Sequence, residues 1–357
     1  MGELVNPATM DPAWMTAQLR AAGLLADGVV TALVGTPVGN GMVGTSIRYV
    51  LDYDFAEPGA PASLVGKFPA TDSVSRQSGA GLRLYLRETR FYRDIAPSVG
   101  IRTPRVVANH FDNATHDFVL LFEDLTPARG GDQLCGCSPE DAATAMREAA
   151  ALHGPRWGDA ALDGLDWLSL PEPAAQAIAQ MLPGVTEMFR ERFGHLLEPE
   201  VMAAATRMAQ LAPAIMFDTP AQRTVLHGDF RLDNVLFEAK GGAWPMATLD
   251  WQTVTRGRGT QDASYFLGAG LRANERAAHE TELLHVYHSA LAGFGVRDYG
   301  WDQCWADYRK HSLNGLFMAV LSAISVTQTN RGDEMFLTMA RRHAAQVLEL
   351  NAFDLWN

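Results

Sequence analysis

Three short strand-like runs between residues 224 and 250 interrupt a second half of the chain that otherwise has the spacing of long helices. The runs lie at 225–226, 235–237 and 246–249, and short apolar runs bounded by turn residues are typical of strands. Polar residues 227–234 follow the first run, and Asp250 follows the third. This stretch therefore predicts a small β-element within a helical region, and the chemistry of the chain is expected here.

The second and third runs are joined by Gly241 and Gly242, which predict an antiparallel hairpin. A hairpin centred there is expected to pair residue 236 with residue 248 and to set Asn234 opposite Asp250. Directly opposed side chains have Cβ atoms roughly 4.5–5.5 Å apart. An amide oxygen and a carboxylate at that separation suit a hard cation such as Mg²⁺, which prefers oxygen ligands. Asn234 and Asp250 are therefore predicted metal ligands.

Asp229 lies five residues before Asn234 on the same loop, where it is predicted to face an acceptor hydroxyl. A kinase catalytic loop has an Asp base and a metal-binding Asn at this interval, and a metal-binding Asp ends the following hairpin. Phosphoryl transfer mainly requires alignment of the attacking oxygen and neutralisation of charge. Asp229 and Asn234 could instead only shape a turn, since both residue types often hydrogen-bond their own backbone. The joint match with Asp250 favours catalysis.

The first half of the chain has a different character. Strand-like segments lie at 32–38, 46–52, 62–68 and 118–122, and one segment with helical spacing lies at 81–95. Long helical patterns begin after Pro127. We therefore predict an α+β chain with an N-lobe at 1–122, formed by a small antiparallel sheet with one inserted helix. The C-lobe at 123–357 is predicted to be larger and mainly helical.

Lys67 lies on a predicted strand and Glu88 on the predicted helix at 81–95. Glu88 shares one helical face with the apolar positions Leu84, Tyr85, Phe91, Tyr92 and Ile95. A buried carboxylate without a partner would be costly, so we predict an ion pair with Lys67. In kinases such a pair directs the ammonium at the nucleotide phosphates. The alternative is a solvated lysine at a strand end and a glutamate on the helix surface.

The segment 39–46 is rich in glycine, with Gly39, Gly41 and Gly44. Its backbone amides could lie against nucleotide phosphates, as in other glycine-rich loops. A hairpin turn without any ligand explains the same pattern. We retain the three glycines as candidate phosphate contacts.

The net charge of −12 disfavours a nucleic-acid partner, which requires clustered Lys and Arg. Three cysteines without a Cys-x-x-Cys pair predict neither a disulfide framework nor a zinc site. The longest apolar stretch, at 316–326, is far shorter than the roughly 20 residues that span a bilayer. No signal-peptide pattern is present at the N-terminus. These features predict a cytoplasmic protein without a membrane partner.

Several motifs together resemble a known group of enzymes. They are Lys67, Glu88, "LLFEDL" at 120–125, "HGDFRLDN" at 227–234, "LDW" at 249–251 and "DASYFL" at 262–267. The set resembles the aminoglycoside phosphotransferase, choline kinase and ecdysteroid-kinase-like branch of the protein-kinase-like fold. "SLVGKFP" and "ETRFYRDIAP" are especially similar to ecdysteroid-kinase-like and related bacterial phosphotransferases. "HGDFRLDNVLF" with "LDW" is also similar to phosphotransferase domains linked to acyl-CoA dehydrogenases.

The resemblance implies a bilobal protein-kinase-like fold that uses ATP and Mg²⁺. Asp229 would be the catalytic base, or the carboxylate that orients the acceptor. Asn234 and Asp250 would hold Mg²⁺, and Lys67, held by Glu88, would contact the α- and β-phosphates.

The resemblance also implies that residues 122–125 form the hinge, where Glu123 and Leu125 receive the adenine through backbone groups. The loop reads His-Gly-Asp where protein kinases have His-Arg-Asp, and Asp-Trp-Gln replaces Asp-Phe-Gly. Both departures fit the small-molecule branch, so a protein substrate is not expected.

The implied reaction is transfer of the γ-phosphate to the hydroxyl of a small molecule, namely an aminoglycoside, a choline-like, a sterol-like or a hydroxyacyl acceptor. The alternative is a non-catalytic nucleotide-binding protein of the same fold. The presence of Asp229, Asn234 and Asp250 together speaks against that alternative. A metal-dependent phosphoesterase would need further His ligands that the sequence does not supply near this loop.

Overall fold

A computed structural model describes residues 4–39, 43–55, 57–219 and 222–356. The chain divides into two compact units, Met1–Pro97 with Thr103–Pro127, and Ser98–Arg102 with Ala128–Asn357. The boundary expected at 122/123 thus lies after Pro127, and Ser98–Arg102 belongs to the second unit. Backbone hydrogen bonds explain this placement, because Gly100 donates to the carbonyl of Ala151 over 2.8 Å. The functional roles expected of the two parts stay predictions.

The first unit is built on a five-stranded antiparallel sheet. Its elements are α1 (Pro12–Ala21), β1 (Val30–Val38), β2 (Gly44–Tyr53), β3 (Ser63–Pro69), α2 (Ser73–Gly81), α3 (Leu84–Arg90), a π-helical turn (Phe91–Ile95), β4 (Val106–Phe111) and β5 (Phe118–Glu123). The strand order is β1-β2-β3-β5-β4. Side chains such as Tyr49, Leu64 and Phe68 pack with Met15 and Leu19 of α1 to form the core of this unit. The four predicted strands are present.

The helix predicted at 81–95 is wrong at its start, because it begins at Leu84, and helix α2 before it was not predicted. Arg83 has a φ of 58°, in the left-handed region, so α2 ends before it and α3 begins at Leu84. Close packing accompanies the break, because a Cβ added at Gly79 would lie 2.4 Å from Cζ of Tyr85. Strand β4 was not predicted.

The second unit is mainly helical, as predicted. Among the described residues, none of the helices combines the length and the apolar character that a bilayer crossing requires. Its helices are α4 (Pro139–His153), α5 (Glu172–Phe193), α6 (Pro199–Gln210), α7 (Ala212–Met216), α8 (Thr260–Gly270), α9 (Ala273–Gly293), α10 (Trp301–His311), α11 (Leu313–Ser325) and α12 (Asn330–Glu349).

Two small sheets interrupt these helices. One pairs β7 (Thr224–Leu226) with β10 (Thr255–Gly257), and the other has the order β6-β8-β9, with β6 (Arg129–Gly130), β8 (Val235–Ala239) and β9 (Trp244–Thr248). The three strand-like runs of the sequence correspond to β7, β8 and β9. Strands β6 and β10 were not predicted.

The predicted register of the β8–β9 hairpin is wrong by one residue. Leu236 pairs with Ala247, not with residue 248, and Ala239 pairs with Trp244. The connection therefore contains an even number of residues, 240–243, and its centre falls between the two glycines. Gly241 and Gly242 both have positive φ angles, which glycine adopts without steric cost. Asn234 is consequently not directly opposite Asp250.

Candidate active site

Lys67 and Glu88 form the predicted ion pair within the first unit. Lys67 lies on β3, and its Nζ is 2.9 Å from Oε1 and 2.8 Å from Oε2 of Glu88 on α3. Both residues are buried, with 9% and 1% of their surfaces exposed. The strand and the helix thus hold an ammonium group in a fixed position, which is the arrangement that a phosphate contact needs.

The predicted hinge residues end strand β5. Glu123 pairs with Leu64 of β3, and its Oε1 accepts a 2.8 Å hydrogen bond from the backbone of Arg105. Leu125 is buried at 3% exposure. The side chain of Glu123 thus holds a backbone amide and that of Leu125 packs in the interior, so any ligand contact would come from the main-chain groups of these residues.

Asp124, between the two hinge residues, is held by side chains from neighbouring strands. Its Oδ2 accepts hydrogen bonds from Arg48 Nε at 2.7 Å and from Ser63 Oγ at 2.8 Å. Burial alone would raise the pKa of Asp124, but these donors, with Thr126, hold that pKa below its usual value. The carboxylate therefore stays ionised and fixes the end of β5 against β2 and β3.

The glycine-rich segment connects β1 and β2. Gly39 has a φ of 76° and Gly44 begins β2, so both lie at the ends of the hairpin connection. Gly41 lies outside the described residues. The hairpin is present, and its contact with phosphates stays a prediction.

Residues 227–234 follow β7 and are called the catalytic loop after their predicted role; His227 and Asp262 hold this loop in place. His227 is fully buried, its Nε2 lies 2.9 Å from the carbonyl of Leu249, and its Nδ1 receives the backbone N–H of Asp229 at 3.2 Å. A carbonyl only accepts and a backbone amide only donates, so Nε2 acts as the donor and Nδ1 as the acceptor. His227 thus orients the backbone of the loop.

Asp262 lies in the first turn of α8, which begins at Thr260. Its carboxylate accepts the backbone N–H groups of His227 at 2.7 Å and Gly228 at 3.0 Å. His153 Nε2 lies 3.2 Å from the same carboxylate. Asp262 therefore braces the catalytic loop from α8.

Asp229 presents its carboxylate at the end of this braced turn, with 22% of the side chain exposed. Its Oδ2 accepts hydrogen bonds from Arg231 Nε at 3.1 Å and from Asn234 Nδ2 at 2.9 Å. Its Oδ1 accepts the hydroxyl of Tyr265 at 2.9 Å. The carboxylate is therefore held in one orientation while part of it remains open to solvent.

The backbone of the β8–β9 hairpin places Asn234 opposite Leu249, the residue before Asp250. Asn234 Nδ2 donates to both the carbonyl and the carboxylate of Asp229, so its Oδ1 is the atom available to a cation. The carbonyl of Asn234 accepts the backbone N–H of Leu249 at 2.8 Å, and Asp250 is the next residue. Asp250 has a φ of 61°, which turns the chain away from the strand direction at this point.

Sequence reasoning missed several residues that hold the catalytic loop. Arg231 donates to Asp233 at 2.8 Å as well as to Asp229, and Arg331 of α12 makes two 3.1 Å hydrogen bonds to Asp233. Burial opposes the charge on Arg231, but Asp229 and Asp233 hold its pKa above the usual value. Gln133 is fully buried, and its Oε1 accepts the backbone N–H of Leu232 at 3.0 Å. Of these contacts, only the one between Arg231 and Asp229 could have been inferred from local sequence, because the two residues are two positions apart.

A segment of the second unit matches a known family of proteins. Residues 169–295 match the ecdysteroid kinase-like family. This segment contains the catalytic loop, Asp250 and Tyr265, whereas Lys67 and Glu88 lie before it. The match agrees with the resemblance predicted from the motifs. No curated protein sequence matches this chain significantly.

Solved structures of small-molecule kinases resemble the whole chain. Choline kinase from Cryptosporidium parvum Iowa II has 8% identity and a TM-score of 0.58, covering 96% of this chain and 97% of its own. The GDP complex of aminoglycoside 2'-phosphotransferase-IIIa has 12% identity and a TM-score of 0.53, covering 93% and 98%. Plasmodium vivax ethanolamine kinase has 11% identity and a TM-score of 0.53, covering 94% and 89%.

At these identities the likeness shows the fold alone. The predicted bilobal protein-kinase-like fold is confirmed, with an antiparallel sheet in the first unit and a mainly helical second unit. The family match and these neighbours agree with the prediction of a small-molecule kinase.

Proposed function

We propose that the protein is a phosphotransferase that moves the γ-phosphate of ATP to the hydroxyl of a small molecule. The observation that carries the proposal is Asp229, a partly exposed carboxylate on a braced turn and held by Asn234. Asp250 follows one residue beyond the backbone contact of Asn234. This set supplies the groups that phosphoryl transfer requires.

The acceptor hydroxyl would donate its hydrogen bond to Asp229. The carboxylate aligns the attacking oxygen and takes its proton as the new O–P bond forms, while the bond between the γ-phosphorus and the bridging oxygen breaks and ADP leaves. Arg231 and Asn234 donate to Oδ2 and Tyr265 donates to Oδ1, so this contact would use the second acceptor position of Oδ1. Fixed orientation of the attacking group is the main contribution of the protein to such a reaction.

The nucleotide would be bound by residues from the first unit. The ammonium of Lys67, fixed by Glu88, would contact the α- and β-phosphates, and the backbone of Glu123 and Leu125 would receive the adenine. The family match supports nucleotide use, as does a structural neighbour solved as a GDP complex. Buried Lys67 is suited to this role because its charge is already positioned.

The donor set at the end of the hairpin fits Mg²⁺. Asn234 offers an amide oxygen and Asp250 offers a carboxylate, and Mg²⁺ prefers such oxygen ligands together with water and substrate phosphates. When bound, the ion would neutralise charge on the triphosphate. Asn234 holds its amide oxygen in place because both hydrogen bonds from Nδ2 go to Asp229.

The acceptor would be a small alcohol. The neighbours named above are kinases of choline, ethanolamine and aminoglycosides, and the matched family is named for an ecdysteroid. A test panel therefore contains amino alcohols, quaternary ammonium alcohols, aminoglycosides, sterol alcohols and hydroxyacyl compounds.

The purified protein is incubated with ATP, Mg²⁺ and the panel, and products are detected by mass spectrometry as a gain of roughly 80 Da. Asp229→Asn should abolish transfer and leave ATP affinity nearly unchanged. Asp302→Asn, an equal charge change on the exposed surface of α10, should retain activity. ATP binding without transfer to any acceptor would contradict the proposal and favour the non-catalytic alternative. Full activity of Asp229→Asn would overturn the role of Asp229.

A further inference from the structure

Tyr265 of α8 contacts the carboxylate that the proposed reaction uses. Its hydroxyl donates to Oδ1 of Asp229 at 2.9 Å, although the two residues are 36 positions apart. Tyr265 is 4% exposed. A buried phenol that reaches a partly exposed carboxylate is a candidate for orienting that carboxylate.

The hydrogen bonds of Asp229 leave little freedom for a substrate. An ionised carboxylate has about four acceptor positions. Among the described residues, Oδ2 accepts from Arg231 and Asn234, and Oδ1 accepts from Tyr265. One acceptor position therefore remains, and it is on Oδ1. Rotation of the carboxylate about its Cβ–Cγ bond would break all three contacts.

The ring of Tyr265 is itself fixed by His343 of α12. The two rings stack with centroids 5.3 Å apart and an interplanar angle of 13°. The imidazole lies where α8 and α11 come close, because a Cβ on Gly315 would be 2.1 Å from its Cε1 and one on Gly268 would be 2.5 Å from its Nδ1. Burial lowers the pKa of His343 to about 3, so the stacked ring is neutral at physiological pH.

The geometry points to Tyr265 as a positioning residue that fixes the Asp229 carboxylate so that a single acceptor position on Oδ1 is left for the attacking hydroxyl. This inference rests on the proposed phosphotransferase function. Burial, with the charge of Asp229 beside it, raises the pKa of Tyr265 well above its usual value. The phenol therefore keeps its proton and always acts as the donor to the carboxylate.

The test compares Tyr265→Phe with Tyr299→Phe. Tyr299 is a matched control, because it is also 4% exposed and its hydroxyl donates to the carboxylate of Asp307 at 2.8 Å. A hydrogen bond to a charged group corresponds to a roughly ten- to hundred-fold change in rate. We expect Tyr265→Phe to lower kcat by that factor and to leave KM for the nucleotide within about two-fold, and Tyr299→Phe to retain kcat. Thermal unfolding and crystal structures of both variants accompany the kinetics.

A kcat of Tyr265→Phe within about two-fold of the wild type would overturn the inference and leave the phosphotransferase proposal intact. Equal losses of kcat in both variants, with equal losses of stability, would also overturn it. If the wild type transfers no phosphate, the proposed function fails and the crystal structures decide the inference separately. A rotated Asp229 carboxylate in Tyr265→Phe would then support positioning, and an unchanged carboxylate would contradict it.

Discussion

The ammonium of Lys67 and the carboxylate of Glu88 lie 2.9 Å apart in the core of the first unit, although 21 residues separate them in sequence. Removing one partner of a buried ion pair costs about 3–5 kcal/mol, because the remaining charge loses its counterion in a poorly solvated position. We expect Glu88→Ala to lower the free energy of unfolding by about that amount in denaturant titrations.

The control for this variant is Glu187→Ala, because Glu187 and Arg190 form an ion pair whose side chains are 61% and 41% exposed. Ion pairs on the protein surface contribute about 1 kcal/mol or less to the free energy of unfolding. Equal destabilisation by the two substitutions would show that the Lys67 pair has no special stabilising role.

Asp250→Asn should raise the Mg²⁺ concentration needed for half-maximal transfer by at least roughly ten-fold. An amide oxygen carries less charge than a carboxylate, so the oxygen set with Asn234 would attract the cation less strongly. The dependence of transfer on Mg²⁺ is measured for the variant, the wild type and Asp302→Asn. An unchanged Mg²⁺ requirement would remove Asp250 from the metal site.

Gly228→Ala should impair folding and activity together. Gly228 has a φ of 82°, and an added Cβ would lie 2.5 Å from the carbonyl oxygen of Thr253. Gly242 has a φ of 90° with no atom within 4 Å of an added Cβ, so Gly242→Ala isolates the backbone strain. That strain costs about 1–2 kcal/mol, and Gly228→Ala should exceed it. The thermal stabilities of the two variants are compared by calorimetry. Equal losses of stability would mean that small shifts of the structure remove the clash with Thr253 at little cost in free energy.

Asp218 should make the stability of the protein depend on acid pH. Hydrogen bonds from His311 and Lys310 lower the pKa of Asp218 to about 2. The ionised carboxylate of Asp218 therefore contributes its full stabilisation at pH values above its pKa in the unfolded chain, and this contribution disappears as the pH falls through 2. At neutral pH, Asp218→Asn should cost about 1–2 kcal/mol, after allowance for partial solvent exposure. The difference from the wild type should shrink between pH 4 and pH 2. If the difference in the free energy of unfolding between the variant and the wild type stayed constant over that range, ionisation of Asp218 would not be coupled to stability.

Local signals in the sequence account for several elements. Asp11 before Pro12 is typical of a helix start, and its side chain accepts the backbone N–H of Trp14 at 2.8 Å at the N-terminus of α1. Ser138 caps α4 in the same way, with its side chain accepting from Asp141. The ion pair of Lys67 and Glu88 could also be predicted, because a carboxylate on an apolar helix face requires a cation nearby.

Features that depend on exact backbone angles or on distant contacts could not be predicted. The left-handed conformation of Arg83 moves the start of the predicted helix to Leu84, and no residue-type rule places an arginine in that conformation. The hairpin register depended on whether the connection at 240–243 had an odd or even number of residues. Tyr265 contacts Asp229 only because α8 returns to the catalytic loop, which motif spacing does not reveal.

The contacts of α12 have a consequence for how this protein becomes functional. Arg331 reaches Asp233 across 98 residues of sequence, and His343 supports the ring of Tyr265. Every recognisable motif has left the ribosome before these two side chains are synthesised. A nascent or truncated chain without α12 would therefore carry the complete signature of the loop yet lack the supports that hold its carboxylates, so competence should arise only after α12 has been synthesised.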